Sequence, residues 1–137
     1  MGNLIFPNVG LLQIAQSMVT SFWPTLAWGL YTNNVTLGPA TTFASLSEAS
    51  WTGYARQTPS GWTVNGIIAN IAVSSAGSIT FTNSTGSPVT AYGYFVLMAS
   101  GSNLIAIEEF SGAPVTIAAG GTLSINPVIG DFSQYTA

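Results

Sequence analysis

The sequence predicts a mainly β protein, an antiparallel β-sandwich (jelly-roll-like or a small barrel) with one N-terminal α-helix. A single segment near the N-terminus has helical spacing of its apolar residues. The rest of the chain consists of short strand-like runs separated by Gly, Pro, Ser and Asn. A parallel sheet needs helical crossovers, and no second segment of helical period is long enough to form one. The length of 137 residues predicts a single domain over 1–137, in which residues 1–24 form an arm and a helix that packs on the sandwich.

The helix is predicted over Val9–Phe22, where large apolar residues recur at three- and four-residue spacing opposite Gln, Ser and Thr. Asn8 is the expected N-cap. Pro24 disfavours the α conformation at Trp23, so the helix is expected to end near that residue. We expect the helix to pack on the sheet, and docking on a neighbouring subunit is the alternative.

Strands are predicted from Leu26–Thr32 onward, because this segment alternates large and small side chains and ends in a turn at Asn33 and Asn34. Ser45–Glu48 has the spacing of a capping box on a short helical turn. The other predicted strands are Thr52–Thr58, Trp62–Val73, Ser78–Thr82, Ala91–Met98, Asn103–Phe110, Val115–Ala118 and Thr122–Val128. Their spacing of roughly 8–12 residues is typical of sandwiches and small barrels.

Charge is the most unusual feature of the sequence. Arg56 is the only base, the acids are Glu48, Glu108, Glu109 and Asp131, and Lys, His and Cys are absent. Without those three residue types there is no Schiff-base lysine, imidazole base, thiolate nucleophile or ordinary zinc site. We therefore predict no catalytic residues, no cofactor and no metal, and an enzyme is the weakest interpretation. One arginine cannot neutralise a nucleic-acid backbone, so nucleic-acid binding is not expected.

Two further features of the composition bear on partners. The most apolar stretches, Gly66–Val73 and Ala91–Ala99, are far shorter than the roughly 20 residues of a membrane-spanning helix, so no membrane partner is expected. Ser, Thr, Asn and Gln supply 45 residues, so the solvated surface is expected to be neutral and polar. Free monomers and sheet edges are normally protected by charge. The near absence of charge favours a stable homo-oligomer or a lattice contact.

Five apolar or aromatic residues are the candidates for such an interface. Leu4, Ile5 and Phe6 precede the helix and form either a staple on this subunit or an arm onto the next one. Trp51 and Trp62 flank loop-like segments, where a tryptophan serves as a core residue, an interface anchor or a sugar-stacking platform.

The charged residues carry weaker expectations. Glu108 and Glu109 are neighbours in a predicted strand, so their side chains point to opposite faces and, without a bulge, cannot act as a glycosidase pair. One of them is expected to face solvent, and the other to pair with Arg56 or to lie at an interface. A lone Asp131 is interpreted as a turn or cap residue rather than a calcium ligand. The glycosylation sequons Asn34–Thr36 and Asn83–Thr85 are likewise interpreted as turns.

Five structural segments stand out along the sequence: Phe6–Gly10, Leu30–Thr36, Glu48–Ala55, Trp62 and Tyr92–Val96. They place Gly, Pro and aromatic residues at turns and strand centres over nearly the whole chain, and they include no catalytic signature. Their order resembles small virion proteins of tailed bacteriophages. Within that group the resemblance is to capsid decoration, or cement, proteins.

The resemblance implies a non-enzymatic protein of the virion that lies on the head surface, bridges capsid subunits and stabilises the shell. Its partners would be the major capsid protein and copies of itself, as a homotrimer or through lattice contacts. The alternative is a tail component, such as a fibre, tip or adaptor, that contacts the host surface and binds glycans. A self-assembling subunit of a pilus or surface layer also fits the composition.

Overall fold

The structure, a computed structural model, describes the backbone of residues 7–133 and the side chains of residues 7–130. Over this part of the chain the predicted fold class is confirmed, because the protein is mainly β, its sheets are antiparallel and its α-helix is N-terminal. These elements are consistent with a β-sandwich or a small barrel. The chain divides into two compact units, Met1–Thr25 with Pro59–Ser78 and Asn126–Ala137, and Leu26–Thr58 with Ile79–Ile125. The single domain over 1–137 stays a prediction.

Helix α1 spans Asn8–Ser17 and continues into a π-helical turn, Met18–Phe22, and a 3₁₀ turn, Trp23–Thr25. The predicted cap is wrong by one residue, because the N-cap is Pro7, whose carbonyl accepts the Leu11 N–H at 2.9 Å. The predicted end of the helix near Trp23 is confirmed, because the π-helical turn ends at Phe22 and only the 3₁₀ turn follows. Pro24 lies inside the 3₁₀ turn, where the first residues need no N–H donor, so a proline is tolerated there.

Ten strands lie in the described part of the chain, and a further 3₁₀ turn spans Phe43–Ser45. The strands are β1 (Leu26–Tyr31), β2 (Thr63–Ile68), β3 (Ile71–Ser75), β4 (Ile79–Thr82), β5 (Val89–Ala91), β6 (Gly93–Met98), β7 (Leu104–Glu109), β8 (Val115–Ile117), β9 (Thr122–Ile125) and β10 (Val128–Ser133). Seven of the eight predicted strand segments overlap at least one of them.

The predicted single strand Trp62–Val73 is in fact a hairpin of β2 and β3. Ala69 and Asn70 form its two-residue turn with positive φ values of 50° and 66°. This geometry matches the right-handed twist of the flanking strands and normally selects Gly or Asn. Ala69 carries no such signal, so the turn was missed.

Two local predictions between β1 and β2 are also wrong. Thr52–Thr58 forms turns and one isolated bridge, between Gln57 and Trp28, instead of a strand. Ser45–Glu48 is not a capping box, since the 3₁₀ turn ends at Ser45 and Glu48 bridges Tyr31. Both segments run along β1, and pairing with that strand replaces their local preferences.

In the first unit, α1 packs on one face of an antiparallel sheet of order β10-β3-β2. Leu11 and Ala15 of the helix and Ala72 of β3 are fully buried, with Val64 and Ile67 of β2 packed around them. Residues four apart lie on the same helix face, and this spacing places the apolar stripe of α1 against the sheet.

The second unit contains three antiparallel sheets, β1-β6-β7, β4-β9 and β5-β8. All six residues of β1 are buried. Part of the core is formed by Tyr31, Leu46, Phe95 and Leu97. The sheet β1-β6-β7 has two edge strands, β1 and β7. Isolated bridges from Glu48 and Gln57 lie along β1.

Gly29 in β1 allows the close packing of this core. A Cβ atom at this position would collide with the Phe95 ring and would lie 2.6 Å from the Tyr54 hydroxyl oxygen. The absent side chain is therefore a packing requirement of β1.

We expect Gly29→Ala to lower the free energy of unfolding by about 1–3 kcal/mol, because Phe95 and Tyr54 must move to admit the methyl group. Gly38→Ala is the matched control, since nothing lies within 4 Å of the Cβ position there, and its effect should stay within about 0.5 kcal/mol. Urea denaturation measures both changes. Equal stabilities of the two variants would contradict the packing role of Gly29.

Candidate binding surfaces

The predicted interface residues have different positions. Leu4, Ile5 and Phe6 lie outside the described residues. Trp62 is 9% exposed and packs against Trp23, with the ring centroids 6.3 Å apart, so it offers little area to a partner.

Trp51 is half-buried and keeps part of its ring at the surface. Its indole N–H donates to the Thr82 carbonyl at 3.0 Å, and its ring meets Tyr54 edge-on at 5.6 Å. These contacts fix the ring, and a rigid aromatic side chain loses little entropy when a partner covers it. That Trp51 and Trp62 contact a partner protein stays a prediction.

Arg56 does not pair with Glu108 or Glu109, so this one of the two alternatives for these acids is wrong. The Arg56 Nε and Nη2 donate to the two carboxylate oxygens of Glu48, both at 2.8 Å. Arg56 and Glu48 both lie in the segment along the outer edge of β1, whereas Glu108 and Glu109 lie in β7 at the opposite edge of that sheet. The guanidinium also lies over the Phe43 ring, 5.4 Å from its centroid.

Tyr54 connects this ion pair to the main chain of β1. Its hydroxyl donates to Glu48 Oε1 at 2.9 Å and accepts the Leu30 N–H at 3.1 Å. Burial raises the pKa of Tyr54, and the hydrogen bond to Glu48 adds to the rise, while the Leu30 N–H opposes it. The hydrogen bonds from Arg56 hold the pKa of Glu48 below its usual value against the effect of burial. The carboxylate therefore stays ionised as a structural acceptor.

A second surface is the face of the β10-β3-β2 sheet that α1 does not cover. Buried Ala72 and Ser74 alternate along β3 with more exposed residues, so the latter point to the other side of the sheet. The cross-strand pairs Ile68–Ile71 and Val128–Ser75 extend that side onto β2 and β10. We call this surface the open face; its residues are Thr63, Asn65, Ile68, Ile71, Val73, Ser75 and Val128.

The open face combines exposed apolar residues with neutral polar groups, and none of its described side chains is charged. Ile68 is 60% exposed and Val128 56%. The two cross-strand neighbours of Val73 are Gly66 and Gly130. Because glycine has no side chain, neither neighbour covers Val73 from the side. Asn65 bonds to Ser75 Oγ at 2.8 Å, so polar groups on this face partly satisfy one another. The alternation along β3 is a sequence signal for this face that the prediction of one long strand missed.

A third surface is the acidic end of β7. Glu108 and Glu109 are both exposed, and Glu108 accepts a hydrogen bond from the Tyr94 hydroxyl at 2.6 Å. Burial and this bond raise the pKa of Tyr94. Tyr94 in turn stacks on Trp28, with the ring centroids 5.3 Å apart. The carboxylate of Glu108 is therefore held in place by half-buried Tyr94, which itself packs on buried Trp28.

Asn83 is a structural residue and not a glycosylation acceptor, because its side chain is fully buried. Its Nδ2 donates to the carbonyls of Ser87, Ile117 and Ala118 at 2.9–3.1 Å, and its Oδ1 accepts from Thr85. The amide joins the loop after β4 to the end of β8. The interpretation of this sequon as a turn agrees with the geometry.

The residues that the structure describes offer few charged or metal-binding groups to a small ligand. Two shallow grooves of about 410 and 460 Å³ are lined by neutral side chains, one around Val35–Thr41 and one beside Phe43 and Leu104. Within residues 7–130, no three His, Cys, Asp or Glu side chains come together as a metal site. No described helix is long and apolar enough to cross a membrane.

Comparison with known proteins gives no relative. No protein-family model matches the chain, and no curated protein and no solved structure is significantly similar to it.

The Glu48–Tyr54–Arg56 cluster predicts how stability depends on pH. The pKa of Glu48 is lower in the folded state, so its contribution is present above the ordinary value of 4.5 and is lost as pH falls through the folded value. The pKa of Tyr54 is higher in the folded state, so its contribution is present below the ordinary value of 10.0 and is lost as pH rises further. The free energy of unfolding should be highest between roughly pH 5 and pH 9.

Denaturation of Glu48→Gln from neutral pH to well below 4.5 tests the acid side, where the variant should lose stability less steeply than the parent protein. Glu109→Gln is the control, because it removes a charge without removing an ion pair of the described structure. Identical acid profiles for Glu48→Gln and the parent protein would contradict the role of Glu48.

Proposed function

We propose that this chain is a non-enzymatic structural protein of a bacteriophage virion, a decoration or cement protein that binds the head surface and stabilises it. The major capsid protein is its proposed partner, together with copies of itself in a homotrimer or a lattice contact. The resemblance of its structural segments to small virion proteins supports the proposal. The observation that carries it is the open face.

The open face suits protein docking because of its chemistry. Exposed Ile68, Ile71 and Val128 lie on one side of a sheet, beside hydroxyl and amide groups that can accept new hydrogen bonds. Burial of apolar surface contributes roughly 25 cal/mol per Å², and no described charge on this face has to lose its hydration. Such a face binds a complementary neutral surface without electrostatic cost.

Shell stabilisation follows from binding alone. A protein that binds only the assembled shell stabilises it by mass action, since every bound copy must dissociate before the contacts beneath it open. The chain would then act through its number of copies and its affinity, and it needs no turnover.

Copy number in purified particles tests the proposal directly. Quantitative mass spectrometry on separated heads and tails should find this chain in the head fraction, in an amount comparable to the major capsid protein. A few copies confined to tails would overturn the decoration role and favour the tail alternative. Absence from both fractions would overturn the virion role altogether.

Substitution of the open face tests the docking surface. Ile68→Lys places a charge among neutral groups, and binding to particles stripped of this protein should weaken about tenfold or more, because an unpaired charge would be buried. Val9→Lys is the matched control, since Val9 is exposed on α1, which packs on the opposite side of the same sheet. Sedimentation with particles measures both. Equal loss in the two variants would contradict a specific role of the open face.

A further inference from the structure

The outer edge of β7 presents main-chain groups that no described strand uses. The Phe110 N–H donates to the Tyr92 carbonyl at 2.8 Å, toward β6. Because N–H and C=O groups alternate in direction along a strand, those of Ile107 and Glu109 point away from β6. Within the described chain β7 pairs with β6 alone, so the edge is open at these two residues.

The other edge of the same sheet is closed. Gln57 exchanges two main-chain hydrogen bonds with Trp28, at 2.7 and 2.8 Å, and Ala49 donates to Leu30 at 2.9 Å. The sheet is thus protected on the β1 side by its own chain. On the β7 side, protection has to come from side chains or from a partner.

Side chains on the β7 edge select which partner fits. Exposed Glu108 and Glu109 lie on opposite faces of the strand, and no base of the described chain pairs with them, since Arg56 is held by Glu48. Two copies paired antiparallel around Glu108 would bring like charges directly opposite each other, which disfavours self-pairing. An incoming strand with two adjacent basic residues would place one base beside each carboxylate.

A bulge limits the length of this edge. The register shifts between Val96 and Leu97, so Ile105 has no direct partner on β6 and the regular ladder of β7 begins at Ala106. The Tyr94 hydroxyl fixes Glu108 within the regular part. The edge therefore accommodates a short segment.

We propose that the outer edge of β7 binds a short extended segment of a partner protein with two adjacent Lys or Arg residues, which adds a fourth strand to the β1-β6-β7 sheet. This inference rests on the proposed function for the source of the segment, a protein of the same particle. Main-chain hydrogen bonds to Ile107 and Glu109 provide the pairing, and the two carboxylates provide the selectivity for a basic strand.

Two synthetic peptides test the edge without knowledge of the natural partner. The probe is acetyl-Thr-Val-Lys-Lys-Val-Thr-amide, and the matched control has Gln-Gln in place of Lys-Lys. In NMR titrations at low salt, the Lys-Lys peptide should bind about tenfold more tightly and slow amide hydrogen exchange at Ile107 and Glu109. Equal affinity of the two peptides, no binding of either, or binding without protection of Ile107 would overturn the proposal.

Variants of the protein give the reciprocal test. Glu108→Gln with Glu109→Gln keeps the side-chain shape and an acceptor for Tyr94, and it should weaken binding of the Lys-Lys peptide about tenfold. Gly38→Ala, which adds only a methyl group in open space, should leave that affinity unchanged. Unchanged affinity in the double variant would overturn the edge site.

The peptide test and the particle test fail independently. If the peptide does not bind while the chain is abundant in heads, the edge inference is wrong and the decoration role stands. If the peptide binds while the chain is absent from particles, the decoration role is wrong and the edge site stands.

Discussion

Closure of the outer edge of β1 is the constraint on which the second unit depends. A fully buried strand at a sheet edge needs partners for its outward main-chain groups, and each missing partner costs about 1–3 kcal/mol. Ala49 and the Tyr54 hydroxyl supply these partners at Leu30. Glu48 binds both Tyr54 and Arg56, so the ion pair holds the segment that closes the edge. In a chain with one base, that base has a structural task.

The few charged side chains that the structure describes thus lie in separate regions of the fold. Glu48 and Arg56 neutralise each other beside β1, Glu108 and Glu109 face solvent on β7, and the described side chains of the open face are neutral. Each surface consequently excludes a different class of partner. The neutral face disfavours highly charged partners through desolvation, and the acidic edge disfavours other acidic strands through repulsion. A few charged residues are enough for such selectivity, because they lie at the edge of one sheet and none of them is a described side chain of the open face.

Much of the architecture was predictable from the sequence, because periodicity and turn residues report local structure. Helix α1 and strands such as β1 and β7 follow directly from their patterns. The β2–β3 turn was not predictable, since Ala69 adopts a positive φ that only the finished hairpin imposes. The partner of Arg56 and the open face depend on which strands become neighbours, and that order is a property of the whole fold. Trp62 was singled out from the sequence, and its burial against Trp23 likewise depends on that order.

The solitary, bidentate Arg56 also affects how this protein is detected. Trypsin cleaves after Lys and Arg, so it can cut this chain only after residue 56, at a guanidinium held by Glu48 in the folded state. The two long fragments that result are poorly suited to standard peptide sequencing, and reagents that cross-link lysine side chains have no target here. Tryptic digests therefore undercount this chain in any mixture, whereas chymotrypsin has sites at its many aromatic residues.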